Sequence, residues 1–395
     1  MMRMLTPLLA LCVVPFAAAT DDRPNILLLF PDQWRFDWDG LHESLDIPLT
    51  LPHIAAIAKG GTRFTHAYVQ APVCAPSRSC LASGREYDHA GVPNNFNNDY
   101  NISIPTFYSQ LREAGYHTMT CGKDDLDKAT QLGTRTGAGN WTGLYHQAAL
   151  GFADGLRCEG KGDVVDTEQP HERYGHWLSE QTVTRADGST MSGWEAHYSC
   201  MKGFGRHGQG KDCTSDMYPD RLYEDNWVAT TALTLLRRKP KGTPWFLQVN
   251  FPGPHPPFLV TANQTRAVKG RTFPKAVDNS KSKRETCADP TGEPESSTVD
   301  RCDYGAEMEN LDRLFGLVLD EVKAQEGGSL ANTVVCFASD HGEMLGDHGD
   351  SGKTMPWQGS AGVPLMCAGP GIRAGGLVDI PVATIDLGAT FVARA

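Results

Sequence analysis

Pro24-Asn25-Ile26-Leu27-Leu28-Leu29-Phe30, followed at once by Pro31-Asp32-Gln33-Trp34-Arg35, is an unbroken apolar run that ends in a polar cluster. Such a run, without apolar and polar alternation, describes a strand buried on both faces, as in a parallel sheet covered by helices. Further strand-like stretches follow at Thr62–Val69, His117–Cys121, Pro244–Phe251, Thr333–Ala338 and Pro364–Cys367. Between these runs the apolar residues fall at helical spacing: Ile54, Ile57 and Ala58 from Leu51 to Gly60-Gly61, then Pro105–Leu111 and Leu222–Arg238. The clearest helix carries Tyr304, Met308, Leu311, Phe315, Val318 and Val322 and stops near Gly327-Gly328. The alternation predicts an α/β fold, a large mostly parallel mixed sheet with helices on both faces. Asp32, Lys123, His255 and Asp340-His341 each fall just past the carboxyl end of an expected strand, the edge where such sheets bind ligands.

The chain of 395 residues opens with Arg3, an apolar run from Leu5 to Phe16, and Ala17-Ala18-Ala19. This pattern predicts a secretory signal peptide over residues 1–19, too short in its apolar part to span a membrane. The roughly 375 residues that follow suffice for one large domain, expected over 24–395. Irregular insertions are expected at about 130–220, a Gly-, Asp-, His- and Trp-rich excursion, and at 261–301, a polar surface segment. The sequons at Asn101, Asn140 and Asn263 fit a secreted, lysosomal-like or periplasmic glycoprotein. A net charge of −11 without basic clusters argues against nucleic acid as a partner, and no second apolar stretch would anchor the mature chain. Of 11 cysteines, Cys12 leaves with the signal peptide. Cys121, Cys336 and Cys367 lie in apolar runs and read as buried small hydrophobes, whereas Cys200 with Cys213 and Cys287 with Cys302 are the expected disulfides.

The stretch Pro72-Val73-Cys74-Ala75-Pro76-Ser77-Arg78-Ser79-Cys80-Leu81-Ala82-Ser83-Gly84-Arg85 reads as the mouth of a helix. Pro76 suits its first position, and Cys74 then lies where free backbone N–H groups and the helix dipole stabilise an anion, with Arg78 one turn on. A low-pKa redox thiol or a disulfide with Cys80 fits the same spacing. Asp32 and Asp340 are hard oxygen ligands for a divalent cation, Gln33 offers a neutral oxygen and His341 a nitrogen.

Cys74-Ala75-Pro76-Ser77-Arg78 followed by Gly84-Arg85 resembles the sulfatase signature, and the resemblance runs from about Pro24 to the end. It implies an alkaline phosphatase/sulfatase-like fold and a sulfuric ester hydrolase. Cys74 would be converted during secretion by a formylglycine-generating enzyme to formylglycine, the nucleophile. One divalent cation, most often calcium, would be held by Asp32, Gln33, residue 74, Asp340 and His341. Lys123 and Lys353 match the sulfate-binding lysines, Arg78 the arginine beside the nucleophile, and His255 the histidine that binds sulfate and assists the leaving oxygen. Two departures stand out. Gln33 replaces a common Asp, and Asp125 occupies the place of a histidine that helps release sulfate, where a carboxylate would have to serve as general base. Family members also continue past the position of Ala395 into a smaller C-terminal subdomain, which is expected to be missing here. The substrate would be a sulfated glycan or small molecule such as an aryl sulfate. Two alternatives stay open: a phosphonate monoester or phosphodiester hydrolase of the same superfamily, suggested by Asp32-Gln33-Trp34-Arg35, and a catalytically silent sulfatase-like glycan-binding protein.

Overall fold

The computed structural model describes residues 23–42, 46–128, 144–161, 170, 172–201, 218–287 and 301–395. The expected signal peptide and Asn140 lie outside these residues. In chain order the strands are β1 (Asn25–Leu29), β2 (Gly61–Tyr68), β3 (His117–Gly122), β4 (Asp154–Arg157), β5 (Thr182–Thr184), β6 (Thr190–Ser192), β7 (Trp245–Asn250), β8 (Thr272–Phe273), β9 (Glu285–Thr286), β10 (Thr333–Ala338), β11 (Gly362–Ala368), β12 (Gly376–Val378) and β13 (Val382–Ala383). Nine of them form one sheet in the order β12-β2-β11-β10-β1-β7-β3-β4, with β13 also paired to β2. Every described pairing in it is parallel except those of β11 with β10 and with β2. The mostly parallel α/β sheet read from the sequence is the observed one.

The unbroken apolar runs have a simple structural cause. Side chains alternate across a strand, so Leu27 and Leu29 enter one core while Ile26, Leu28 and Phe30 enter the other. The first core is closed by helices Pro52–Gly60, Glu224–Arg238 and Arg301–Gln325, through Ile54, Val228, Leu235, Leu311 and Phe315. The second is closed by helices Cys74–Ser83, Phe107–Glu113 and Asp386–Val392, through Leu81, Leu111 and Phe391. Because β10, β1, β7 and β3 are neighbours, the residues just past their carboxyl ends share one edge.

Several expectations need correction. Cys336 and Cys367 are buried as expected, yet they form a disulfide. They face each other across the antiparallel β10–β11 pair, with Cα atoms 4.1 Å apart. Strand pairing, which the apolar pattern does not encode, brings them together. The expected Cys287–Cys302 bridge is present, and Cys121 is a free buried thiol. Cys200 is disulfide-bonded, while Cys213 lies outside the described residues. The described part of 261–301 is no loose surface segment: helix Ala262–Val268 and the β8–β9 ribbon place Val268 and Phe273 in the core. Phe273 stacks on Trp38 at 5.2 Å and 5°. Likewise, the described parts of 130–220 contain β4, the β5–β6 ribbon and helices Arg173–Ser179 and Gly193–Met201, which bury Tyr174, Leu178 and Met201.

Phe273 sits against the helix position of Gly305, whose Cβ, if present, would lie 2.6 Å from its ring. Phe273→Ala therefore opens a cavity that the short ribbon cannot collapse. The expected cost is about 3–5 kcal/mol, read as a lowered urea midpoint; a loss under about 1 kcal/mol would return this segment to the surface.

Candidate active site

The helix at the centre of the site begins at Cys74 itself, two residues before the position expected from Pro76. Its capping residue, Val73, is extended and offers no side-chain cap, and the Ala75 N–H is taken instead by Asn95 Oδ1 at 3.0 Å. Gly84 ends it in the left-handed conformation, φ +65°, with its N–H on Cys80 O. Cys74 and Cys80 are both free, which removes the disulfide reading. Their positions differ as chemistry requires: burial, then Glu86 and Asp88, push the Cys80 thiol up to about 12. Burial and Asp32 push the Cys74 thiol up as well, but Lys123, Lys353 and His341 outweigh them and bring it down to about 6.

One ligand atom from each of Asp32, Cys74, Asp340 and His341 lies within 4.8 Å of the others, and all four residues are buried. Asp32 and Asp340 reach this place from the ends of β1 and β10. Arg78 binds both carboxylates, Nε to Asp340 Oδ2 at 2.9 Å and Nη2 to Asp32 Oδ2 at 3.3 Å. Its Nη1 donates to Lys123 O and to Asn250 Oδ1, the latter at 3.2 Å. Burial pushes the Asp32 carboxyl up, but Lys123, His255, Lys353 and Arg78 hold it well below the usual carboxylate range. His341 Nδ1 donates to Gly342 O at 3.0 Å, leaving Nε2 as the acceptor that faces Lys353 Nζ at 3.0 Å and Cys74 Sγ at 3.4 Å.

Two lysines flank the nucleophile position. Lys353 Nζ is 2.8 Å from Cys74 Sγ and Lys123 Nζ is 3.8 Å from it. Lys123 also pairs with Asp32 Oδ2 and, at 3.5 Å, with Asp125 Oδ2. Gly122 makes this placement possible: at φ +82° its missing Cβ would lie 1.9 Å from Asn250 O, and Lys123 N donates to that same oxygen at 2.9 Å. Asp125 is buried between Lys123 and Lys128, the latter at 3.3 Å. Burial pushes its carboxyl up, but Lys123, Lys128 and Arg78 outweigh it, so Asp125 is held ionised and is a weak proton acceptor. His255, half-buried, donates from Nδ1 to Pro256 O. Burial, Lys353 and Lys123 keep its ring well below the usual histidine range, so the ring is neutral with Nε2 bare.

The Sulfatase family model matches residues 24–395. The chain belongs to the sulfatase family. By that membership it is a sulfuric ester hydrolase. This sulfatase is 26% identical over 366 residues to an arylsulfatase of Clostridium perfringens, covering 88% of this chain and 69% of the relative. It is 28% identical over 393 residues to a choline-sulfatase of Rhizobium meliloti, covering 93% and 67%. Among solved structures, the phosphonate monoester hydrolase of Agrobacterium radiobacter superposes with a TM-score of 0.69 at 22% identity, over 94% of this chain and 73% of that one. The last comparison concerns the fold.

The sequence reading missed three parts of the sulfatase site. Asn250 ends β7 and binds Arg78, a strand-end position that was open to the same argument as Asp32. Arg157, at the end of β4, holds Asp124 and Asp127; burial pushes Asp124 up to about 6. Glu343, just past His341, accepts hydrogen bonds from Gln33 Nε2, Leu345 N and Gly352 N.

Prepared without conversion of Cys74 and without metal, the sulfatase should show a reactive thiol. The alkylation rate of Cys74 rises as the thiolate forms, so it should be half-maximal near pH 6. Peptide mapping across pH checks this; a midpoint near the ordinary 9.0 would remove the lysine pair's influence.

Proposed function

We propose that this protein hydrolyses sulfate esters through a formylglycine formed from Cys74, assisted by one divalent cation. The observation that carries this reading is the burial of Cys74 against Asp32, Asp340 and His341 with Lys123 and Lys353 on either side. The residues suit a cation on structural grounds. Asp32 Oδ1 and Gln33 Oε1 are buried without a hydrogen-bond partner, a costly arrangement unless a cation or donor meets them. Asp32, Gln33, Asp340 and His341 would hold the ion, together with residue 74. When bound, it polarises a sulfuryl oxygen. Calcium is the ion expected from the resemblance; the imidazole nitrogen and the neutral amide also suit Mn2+.

Each residue then has a task that its surroundings permit. In its hydrated form, residue 74 carries two hydroxyls, one to take up the sulfuryl group and one to expel sulfate as the carbonyl returns. Lys123 and Lys353 place two ammonium groups where charge gathers on the sulfuryl oxygens. Arg78, engaged on every side, orients Asp32 and Asp340. The Lys353 ammonium, half-buried at the mouth, is placed to protonate the departing oxygen, and the bare Nε2 of His255 is placed to accept a proton when sulfate leaves. Asp125, held ionised, supports Lys123 in preference to serving as the base.

The substrate is proposed to be a sulfated carbohydrate or an aryl sulfate, met outside the cytoplasm after export by the residue 1–19 signal. Asn101 and Asn263 are exposed, as glycosylation requires. No helix among the described residues is long and apolar enough to cross a membrane. The phosphonate hydrolase reading is favoured by one observation, the Asp32-Gln33 pair at the end of β1, and the sulfate reading by the lysine pair.

The test is co-expression with a formylglycine-generating enzyme, mass spectrometry of the residue 74 peptide, and side-by-side assay of p-nitrophenyl sulfate and p-nitrophenyl phenylphosphonate. An aldehyde at residue 74 and faster cleavage of the sulfate are expected. Cys74→Ala should lower the rate by on the order of 10³-fold or more. Faster cleavage of the phosphonate would move the assignment to the phosphorus branch. Glycan binding without hydrolysis would make this a silent relative. Chelation should abolish turnover, with Ca2+ and Mn2+ compared in add-back.

The pH profile follows from His255. Its ring accepts a proton only above its own pKa, which lies well below 6.5. Because sulfate release follows departure of the alcohol, the acidic limb belongs to kcat. It should fall below pH 6.5 and disappear in His255→Ala, and a limb above that value would assign it to another group.

A further inference from the structure

Glu343 touches neither the nucleophile nor, by its position, the substrate, yet it joins the two halves of the site. It is buried, three residues past Asp340. Its Oε2 accepts from Gln33 Nε2. Its Oε1 accepts from Leu345 N at 2.9 Å and from Gly352 N at 2.5 Å. Gly352 precedes Lys353, whose Nζ is 2.8 Å from Cys74 Sγ. One carboxylate thus grips a metal-ligand candidate with one oxygen and the lysine strap with the other.

The grip on Gln33 decides which way its amide faces. The Gln33 backbone is fixed on both sides, its N–H on Asp340 Oδ1 at 3.0 Å and its carbonyl under the Tyr304 hydroxyl at 2.7 Å, with φ at +69°. What remains free is the side chain, whose amide has two flip states. A carboxylate oxygen opposite the amide oxygen would be repelled, so Glu343 selects the state that presents Nε2. Oε1 then points away from Glu343, buried and without a hydrogen-bond partner, as is Asp32 Oδ1.

We propose that Glu343 is a positioning residue for the metal centre: it sets the Gln33 amide so that Oε1 serves as a ligand, and it registers the Lys353 strap to the same centre. The proposal rests on the metal reading given above. An amide ligand is neutral and can flip, and in the metal-free site the carboxylate of Asp32 would draw its NH2 inward. A fixed partner is therefore needed to keep the oxygen facing the centre before the ion arrives. Glu343 restores to Gln33 the directional certainty that an aspartate at that position would have by symmetry.

The experiment is calorimetric titration of the metal-free protein with Ca2+ and with Mn2+. Glu343→Gln should weaken binding of the preferred ion ten- to a hundred-fold, because its own NH2 must face either Gln33 or the strap. Gln33→Met, which removes the ligand oxygen but keeps the volume, should weaken binding to a similar degree. On the Gln33→Met background, Glu343→Gln should add less than about threefold, since its route to the ion is already gone. The exchanged pair Gln33→Glu with Glu343→Gln reverses the hydrogen bond and should return the affinity to within about threefold of the wild type. Unchanged affinity in either single variant overturns the proposal. A full further loss on the Gln33→Met background overturns it as well, because Glu343 would then act through the fold at large. If Glu343→Gln does not fold, judged by its thermal midpoint without metal, Glu343→Asp takes its place. The shorter carboxylate cannot reach both Gln33 and the strap, so the same weakening is expected and unchanged affinity overturns the proposal. A wild-type protein that takes up neither ion refutes the metal reading itself, and is recognised because the failure precedes any substitution.

Discussion

The guanidinium of Arg78 is the interaction on which the site depends. From the second turn of the Cys74 helix it reaches over the sheet edge and touches a residue at the end of each of four neighbouring strands. These are Asp340 past β10, Asp32 past β1, Asn250 at the end of β7 and Lys123 past β3. The Phe30 ring lies beneath it, 5.2 Å from the guanidinium carbon. Five N–H donors in a planar fork can serve four acceptors at once, which the single ammonium of a lysine cannot. Asp32 would keep Lys123, but removing Arg78 would strip the fully buried Asp340 of its guanidinium partner, a loss of about 3–5 kcal/mol in comparable pairs. The strand ends, the helix and the nucleophile are thereby one electrostatic unit.

That unit divides its carboxylate oxygens with some economy. Asp32 gives Oδ2 to Arg78 and Lys123, while its Oδ1 accepts no hydrogen bond and faces His341 Nε2 at 3.4 Å. Asp340 gives Oδ2 to Arg78 and Oδ1 to the Gln33 N–H. The protein's own cations therefore occupy one side of the site, and the open oxygens face the other. Lys353 differs from Lys123 in this respect. It has no carboxylate partner among the described residues, and it is half-buried at the mouth, so its charge is the one least committed before a substrate arrives.

The sequence disclosed the parts of this design that depend on local order along the chain. The run Ile26–Phe30 announces two-sided burial, and Asp32, Lys123 and Asp340 are placed at the edge simply because their strands end there. What it withheld depends on contacts between distant segments. Cys336 and Cys367 read as hydrophobes because only the antiparallel insertion of β11 brings them face to face. Phe273 lies in a two-residue strand within a polar segment, too short for any period to show, and is held by stacking on Trp38. Glu343 went unremarked, since nothing in its neighbourhood along the chain shows that Gln33, 310 positions away, lies against it.

Asp125 shows how a departure from the family pattern can be partly offset in charge. Replacing a neutral imidazole by a carboxylate adds one negative charge beside Lys123, which taken alone would weaken the field that a sulfate group meets. Lys128 contributes one positive charge, 3.3 Å from the same carboxylate and equally buried. Lys128 thus offsets part of the added charge, whereas the proton-accepting capacity of an imidazole is not replaced. Asp125 cannot recover that capacity while two lysines and Arg78 hold it ionised. The His255 ring is a different case: its Nδ1–H is fixed on Pro256 O, and burial, Lys353 and Lys123 keep it neutral. Lys123 thus acts on both groups, helping to remove a base at one position and, with burial and Lys353, to maintain one at the other.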